Sequence, residues 1–112
     1  MGVRAFARVI YSPAGTPAAS VVKGFAAPVD TATGRCTFTL SRGIDRTEGC
    51  VVVSYLANTS TPPQGGGSLD ADIAAADTTV EVRVRGSTGV LAYPLAGTGF
   101  HVVVFDSDGG IG

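Results

Sequence analysis

Thr33-Gly34-Arg35-Cys36-Thr37-Phe38-Thr39-Leu40 and, ten residues further on, Cys50-Val51-Val52-Val53-Ser54-Tyr55-Leu56 decide the fold class. In the first stretch Cys36, Phe38 and Leu40 alternate with Thr37 and Thr39, the period-2 signature of a strand with one face in a core and one in water. The second is apolar at nearly every position, the pattern of a strand covered on both sides. Ser41 to Gly49, polar and glycine-bearing, reads as the connection between them.

Working outward, the same period recurs. Val3 to Tyr11 places Val3, Ala5, Ala7, Val9 and Tyr11 on one face, and Arg4, Phe6, Arg8 and Ile10 on the other. Ser12 to Pro17 breaks the pattern with two prolines and a glycine. Ser20 to Phe25 and a short piece around Val29 follow as strands. Thr79 to Arg85 is the cleanest case, with Val80, Val82 and Val84 inward. Val90 to Tyr93 reads as the return strand after the Gly86-Ser87-Thr88-Gly89 turn. Phe100 to Phe105 closes the series, with Phe100, Val102 and Val104 on one face and His101, Val103 and Phe105 on the other. Leu69 to Ala76, with its run of small residues, reads as a helical turn. The sum is all-β: a single-domain antiparallel β-sandwich of seven or eight strands, jelly-roll-like, over residues 1–106, with 107–112 as a tail. The expected core is Phe6 or its neighbours, Phe25, Phe38, Leu40, Val52, Val80, Val82, Val84, Val102 and Val104.

Composition narrows the function classes. In 112 residues, 45% are apolar and 15% charged, with 16 glycines and a net charge of −1. The eight basic residues are scattered, so no basic stripe marks a nucleic-acid partner. No run reaches the ~18 apolar residues of a membrane-spanning helix. Asn58 to Ser68, with Pro62-Pro63 and Gly65-Gly66-Gly67, reads as a loop whose Asn58, Pro62, Pro63 and Gln64 are candidates for partner contact.

No catalytic constellation stands out, and the chain reads as a non-enzyme that needs no cofactor or metal. Cys36 and Cys50 lie in apolar strand context, where a free Cys behaves as a small buried hydrophobe. A disulfide between them would close a loop of about 15 residues and contribute roughly 3 kcal/mol. A zinc site would have His101 beside them and still lack a ligand. His101 itself, alternating with valines, reads as a packed or interface-lining residue. Asp106-Ser107-Asp108-Gly109 opens like a calcium loop but lacks the later ligands, which leaves a solvated tail. A closing strand with two apolar faces needs two covers. In a chain this small the second cover is expected to be another subunit, through His101, Val103 and Phe105.

Five pieces taken together carry a family resemblance: Arg4-Ala5-Phe6-Ala7, Val22 to Phe25, Thr33 to Leu40, Cys50 to Val53, and Val102-Val103-Val104-Phe105. In order and spacing they resemble a small β-sandwich domain of tailed-phage fibre tips and other virion appendages, similar in shape to the trimeric heads of C1q and tumour necrosis factor. The chain departs from that pattern at Cys36, where the family has an aromatic, and at Ile44 to Gly49, which replaces a family loop.

The resemblance implies a homotrimer made in the host cytoplasm and placed on the exterior of a phage particle. A reducing site of assembly would disfavour a disulfide. Met1 stands directly before the first strand, without the shaft a fibre tip follows. The expected role is therefore a capsid decoration or cement protein bound to the major capsid protein or other virion proteins. The alternative is a tail-fibre tip that binds a host surface glycan.

Overall fold

The structure is a computed structural model and describes residues 2–45, 47–56, 67–74 and 78–107. Eight strands and no helix occur among them: β1 Gly2–Tyr11, β2 Pro17–Lys23, β3 Val29–Ala32, β4 Arg35–Thr39, β5 Gly49–Leu56, β6 Ser68–Ile73, β7 Thr79–Arg85 and β8 Gly99–Asp106. They form two antiparallel four-stranded sheets, ordered β2-β1-β8-β5 and β3-β4-β7-β6. The all-β sandwich expected from the alternation is the fold observed.

Each strand buries the residues its period assigns to one face. Ala5, Ala7, Val9 and Tyr11 of β1 meet Phe100, Val102 and Val104 of β8 on the inner side of the first sheet. Cys36 and Phe38 of β4 and Val80, Val82 and Val84 of β7 do the same for the second. Phe38 packs at 4.9 Å centroid distance from Phe25 and edge-on at 6.2 Å from Phe100, offset arrangements that suit the ring quadrupole. Leu40 and Ile44 close one end. Two glycines are set by close approach. An added Cβ at Gly99 would lie 1.9 Å from the Val9 carbonyl oxygen, and Gly34, at φ +72°, turns β3 into β4 against the Val84 and Ala92 backbone.

Several expectations are corrected. The core place expected of Phe6 or its neighbours is taken by the neighbours Ala5 and Ala7, while Phe6 faces outward. Val52 is 50% exposed and lies on the outer face of β5. Only Val51 and Val53 of that strand pack against the core, so β5 is covered on one side. Residues 69–73 are strand: Leu69, Ala71 and Ile73 pair with Val84, Val82 and Val80, and the Asp70 and Asp72 that alternate with them are the period-2 signal. A strand at Val90 to Tyr93 reduces to one bridge, Leu91 to Arg85. Asp106 belongs to β8 and is buried, with Arg4 as its ion-pair partner.

Candidate functional site

The outer face of the first sheet is built in cross-strand rows. Val3, Phe105 and Cys50 stand opposite one another across β1, β8 and β5. The next row is Lys23, Phe6, Val103 and Val52, and the third is Val21, Arg8, His101 and Ser54. Two consecutive rows are thus apolar across three strands, bounded by a polar row and by Lys23. Alternation explains how they arise: with the odd positions of β1 and the even positions of β8 committed to the core, Phe6, Val103 and Phe105 have nowhere to point but outward. An apolar patch of this kind, rimmed by polar residues, is what association surfaces look like.

His101, Val103 and Phe105 all lie on this face and are half-buried there, which is where the alternation of the closing strand put them. Phe6, Val52 and Val3 complete the patch. Val52, expected in the core, is on this face instead, and of Phe6 and its neighbours it is Phe6, on the Arg-bearing side of β1, that comes here while Ala5 and Ala7 are buried. Asn58, Pro62, Pro63 and Gln64 lie outside the described residues.

The two thiols differ sharply. Cys36 is fully buried, and Cys50 is exposed on the face. Both are free, so the expectation of two buried thiols holds for Cys36 and fails for Cys50, which sits on the outward parity of β5. Burial pushes the Cys36 thiol up to about 12, with Tyr11 alongside as hydrogen-bond partner and Asp30 adding to the rise. A thiol so held is almost entirely protonated at neutral pH and makes a poor nucleophile. Cys50 lies two rows from His101, about 13 Å along the strand at ~3.3 Å per residue, beyond the reach of a nucleophile–base pair. Ser54 does stand opposite His101, but the rows of this face contain no carboxylate to orient the imidazole.

Arg4 and Asp106, at one end of the sheet, line a cavity of about 430 Å³ with Gly43, Ile44, Asp45, Glu48 and Ser107. The register shift between Val3 and Ala5 turns Arg4 inward, where its guanidinium meets the Asp106 carboxylate. Ser107 ties this corner to Glu48 through both its backbone and its hydroxyl, at 3.1 and 3.0 Å. No group of three or more His, Cys, Asp or Glu suited to holding a metal ion occurs among the described residues.

The second sheet presents a different outer surface. Arg35, Arg83 and Asp70 form one row, and Thr37, Glu81 and Asp72 the next. Like charges stand directly opposite in both rows, and ion-pair bonds across, along and diagonally between the strands relieve them. Glu81 accepts from Arg35 at 2.7 Å and from Arg83 at 2.8 Å. Asp70 accepts from Arg83, and from Arg85 at 3.0 Å. Burial alone would raise the Asp70 carboxyl, but the bonds from these two arginines outweigh it and hold it below its ordinary value. Three cations meet three anions, and the face neutralises itself.

Comparison of the chain with protein-family models, with curated proteins and with solved structures finds no match.

Proposed function

We propose that this chain is a structural subunit of a bacteriophage particle, a homotrimer on the virion exterior that decorates and cements the capsid. The observation that carries the reading is the apolar patch of Phe6, Val103, Phe105 and Val52 on the outer face of the first sheet. Core-like side chains outside the core of a small domain call for a partner, and three copies around an axis would cover them. The second support is the resemblance of the strand motifs to virion appendage domains, with which an antiparallel sandwich is compatible. The partners are then a second and third copy of the chain and the major capsid protein or a neighbouring virion protein. A tail-fibre tip binding a host surface glycan is the other role such a domain fills.

Two measurements test the proposal in sequence. Sedimentation at micromolar concentration should give the mass of three chains, and a stable monomer there would end the trimer reading. Imaging of intact particles should then place the density on the capsid lattice. Density at the fibre ends would move the assignment to the tip, and density at neither place would remove the virion role.

A further inference from the structure

The four strands that end the two sheets are unequal. β2 begins at Pro17, ends at Lys23, and is kinked by a register shift opposite Arg8 and Val9. β3 has four residues, carries Asp30, and is shifted between Asp30 and Ala32. β6 alternates Asp70 and Asp72 with its apolar residues. Each carries a device that discourages an incoming strand: Pro, Lys, a bulge, shortness or charge. β5 has none of them. Gly49-Cys50-Val51-Val52-Val53-Ser54-Tyr55-Leu56 is eight residues long, without charge or proline, and pairs with β8 over its whole length with no register shift. Among the described residues no strand pairs with its other side, which borders a cavity of about 260 Å³ between the sheets, lined by Val51, Ala71 and Ile73 among others.

We propose that β5 pairs with β5 of a second copy, antiparallel about a twofold axis, to join the first sheets of two subunits into one continuous sheet. The occupant follows from charge. A strand that pairs with itself sets each residue against its own kind or a near neighbour, so any charge is repelled. β6 against β6 would oppose aspartates, whereas β5 against β5 opposes Val, Ser and Cys. Pairing also satisfies the N–H and C=O groups of the alternate residues of β5 that point away from β8. A twofold axis along the sheet normal keeps both outer faces on one side, so the Val52 and Cys50 ends of the two apolar patches merge. This contact uses the main-chain edge and the trimer contact uses side chains of the face, so the two can coexist and neither depends on the other.

Two registers keep outward side chains opposite one another near the strand centre. One puts Val52 on the axis and Cys50 opposite the partner's Ser54. The other puts Val53 on the axis and Val52 opposite the partner's Ser54. Under mild oxidation, S54C with the native Cys50 should give a covalent dimer in the first register, and V52C/S54C in a C50S background should do so in the second. Both substituted positions are exposed, and circular dichroism checks that each variant folds. Amide hydrogen exchange on the unmodified chain supplies a second readout, since amides of β5 should slow as concentration rises. S54K should weaken the association about tenfold in the second register, where the two lysines lie diagonally across the axis, and less in the first, where four residues along the strand separate them. Two results would overturn the proposal: no dimer from either cysteine pair beyond that of Cys50 alone, or β5 exchange independent of concentration. The V103D variant separates this contact from the trimer. If V103D abolishes all association and β5 is never protected, only the face contact exists. If β5 stays protected in V103D, the edge contact stands, whatever becomes of the face.

Discussion

The two outer faces of this sandwich solve the same problem in opposite ways. Each sheet must show water the side of its strands that the core does not use. The second sheet fills that side with Arg35, Arg83, Arg85, Asp70, Asp72 and Glu81, which neutralise one another through a network of ion-pair bonds. The first fills it with Val3, Phe6, Val103, Phe105, Val52 and Cys50, and keeps its ion pair, Arg4 with Asp106, inside. Hydration satisfies the second face; the first is satisfied only by contact with something apolar. The difference is why the proposed self-association is assigned to one side of the molecule.

The largest effect is expected from the ion pair that the apolar sheet hides. D106N removes the carboxylate charge that the buried Arg4 guanidinium pairs with, and among the described residues the Arg4 Nε has no hydrogen-bond partner. Breaking a buried pair from one side costs about 3–5 kcal/mol, to be read from the urea midpoint. D72N, whose carboxylate is on the ladder and 64% exposed in its side chain, should cost under ~1 kcal/mol. Equal losses from the two variants would break the contrast between a buried pair and a solvated ladder.

The thiols sharpen it next. Cys50, on the face, should react with a maleimide in the native protein, whereas Cys36 reacts only when the chain opens. The rates should differ at least about a hundredfold, since Cys36 waits on unfolding. Mass spectrometry of the labelled protein would show one adduct before denaturation and two after. Two adducts at once would mean that the core around Phe38 is looser than its packing indicates. Protection of Cys50 that rises with protein concentration would instead mark association across the face.

A third test acts on the patch directly. V103D sets a carboxylate among Phe6, Val52 and Phe105 on an outward position, so the fold should survive while self-association weakens by about tenfold or more. T37D, at the matching outward position of the second sheet, should leave association unchanged. Analytical ultracentrifugation of both variants decides the matter, and an equal response from the two faces would remove the asymmetry.

Sequence period alone made much of this legible. The alternations of β1, β4, β7 and β8 forecast which side chains are buried, because a strand one face of which is core admits only one parity. What escaped had physical causes. Size and apolarity draw Val52 inward against its parity, and leave Phe6 competing for the core with the neighbours, Ala5 and Ala7, that fill it. Yet Arg8 on the one strand and Ser54 on the other already marked the outward side. β6 was hidden because its short Leu69-Asp70-Ala71-Asp72-Ile73 alternation runs into alanines, whose helix propensity masks a five-residue period. With β6 went the charge ladder, which exists only once β6 lies beside β7. Arg4 and Asp106, far apart in the chain, meet through a bulge that no local pattern announces.

The smallest expected effect, and the one that isolates the ladder, is on acid stability. Asp70 is held below its ordinary value near 3.8 in the folded protein, because hydrogen bonds from Arg83 and Arg85 outweigh its partial burial. The unfolded chain lacks those bonds and binds the proton more readily, so protonation favours unfolding. The contribution of Asp70 is therefore fully present at pH above the ordinary carboxylate value. It is lost as pH falls below that value and through the lower folded one. With a side chain 43% exposed, the carboxylate is screened by water and salt. Its share lies at the low end of the ~0.2–1 kcal/mol typical of exposed pairs. D70N should accordingly lower the melting temperature slightly at pH 7 and leave it unchanged at pH 2, and high salt should shrink the pH 7 difference. A D70N difference that persists undiminished at pH 2 would show that Asp70 acts through packing of β6 against β7 rather than through charge. The outer face of the second sheet would then be held by the same apolar forces as the first.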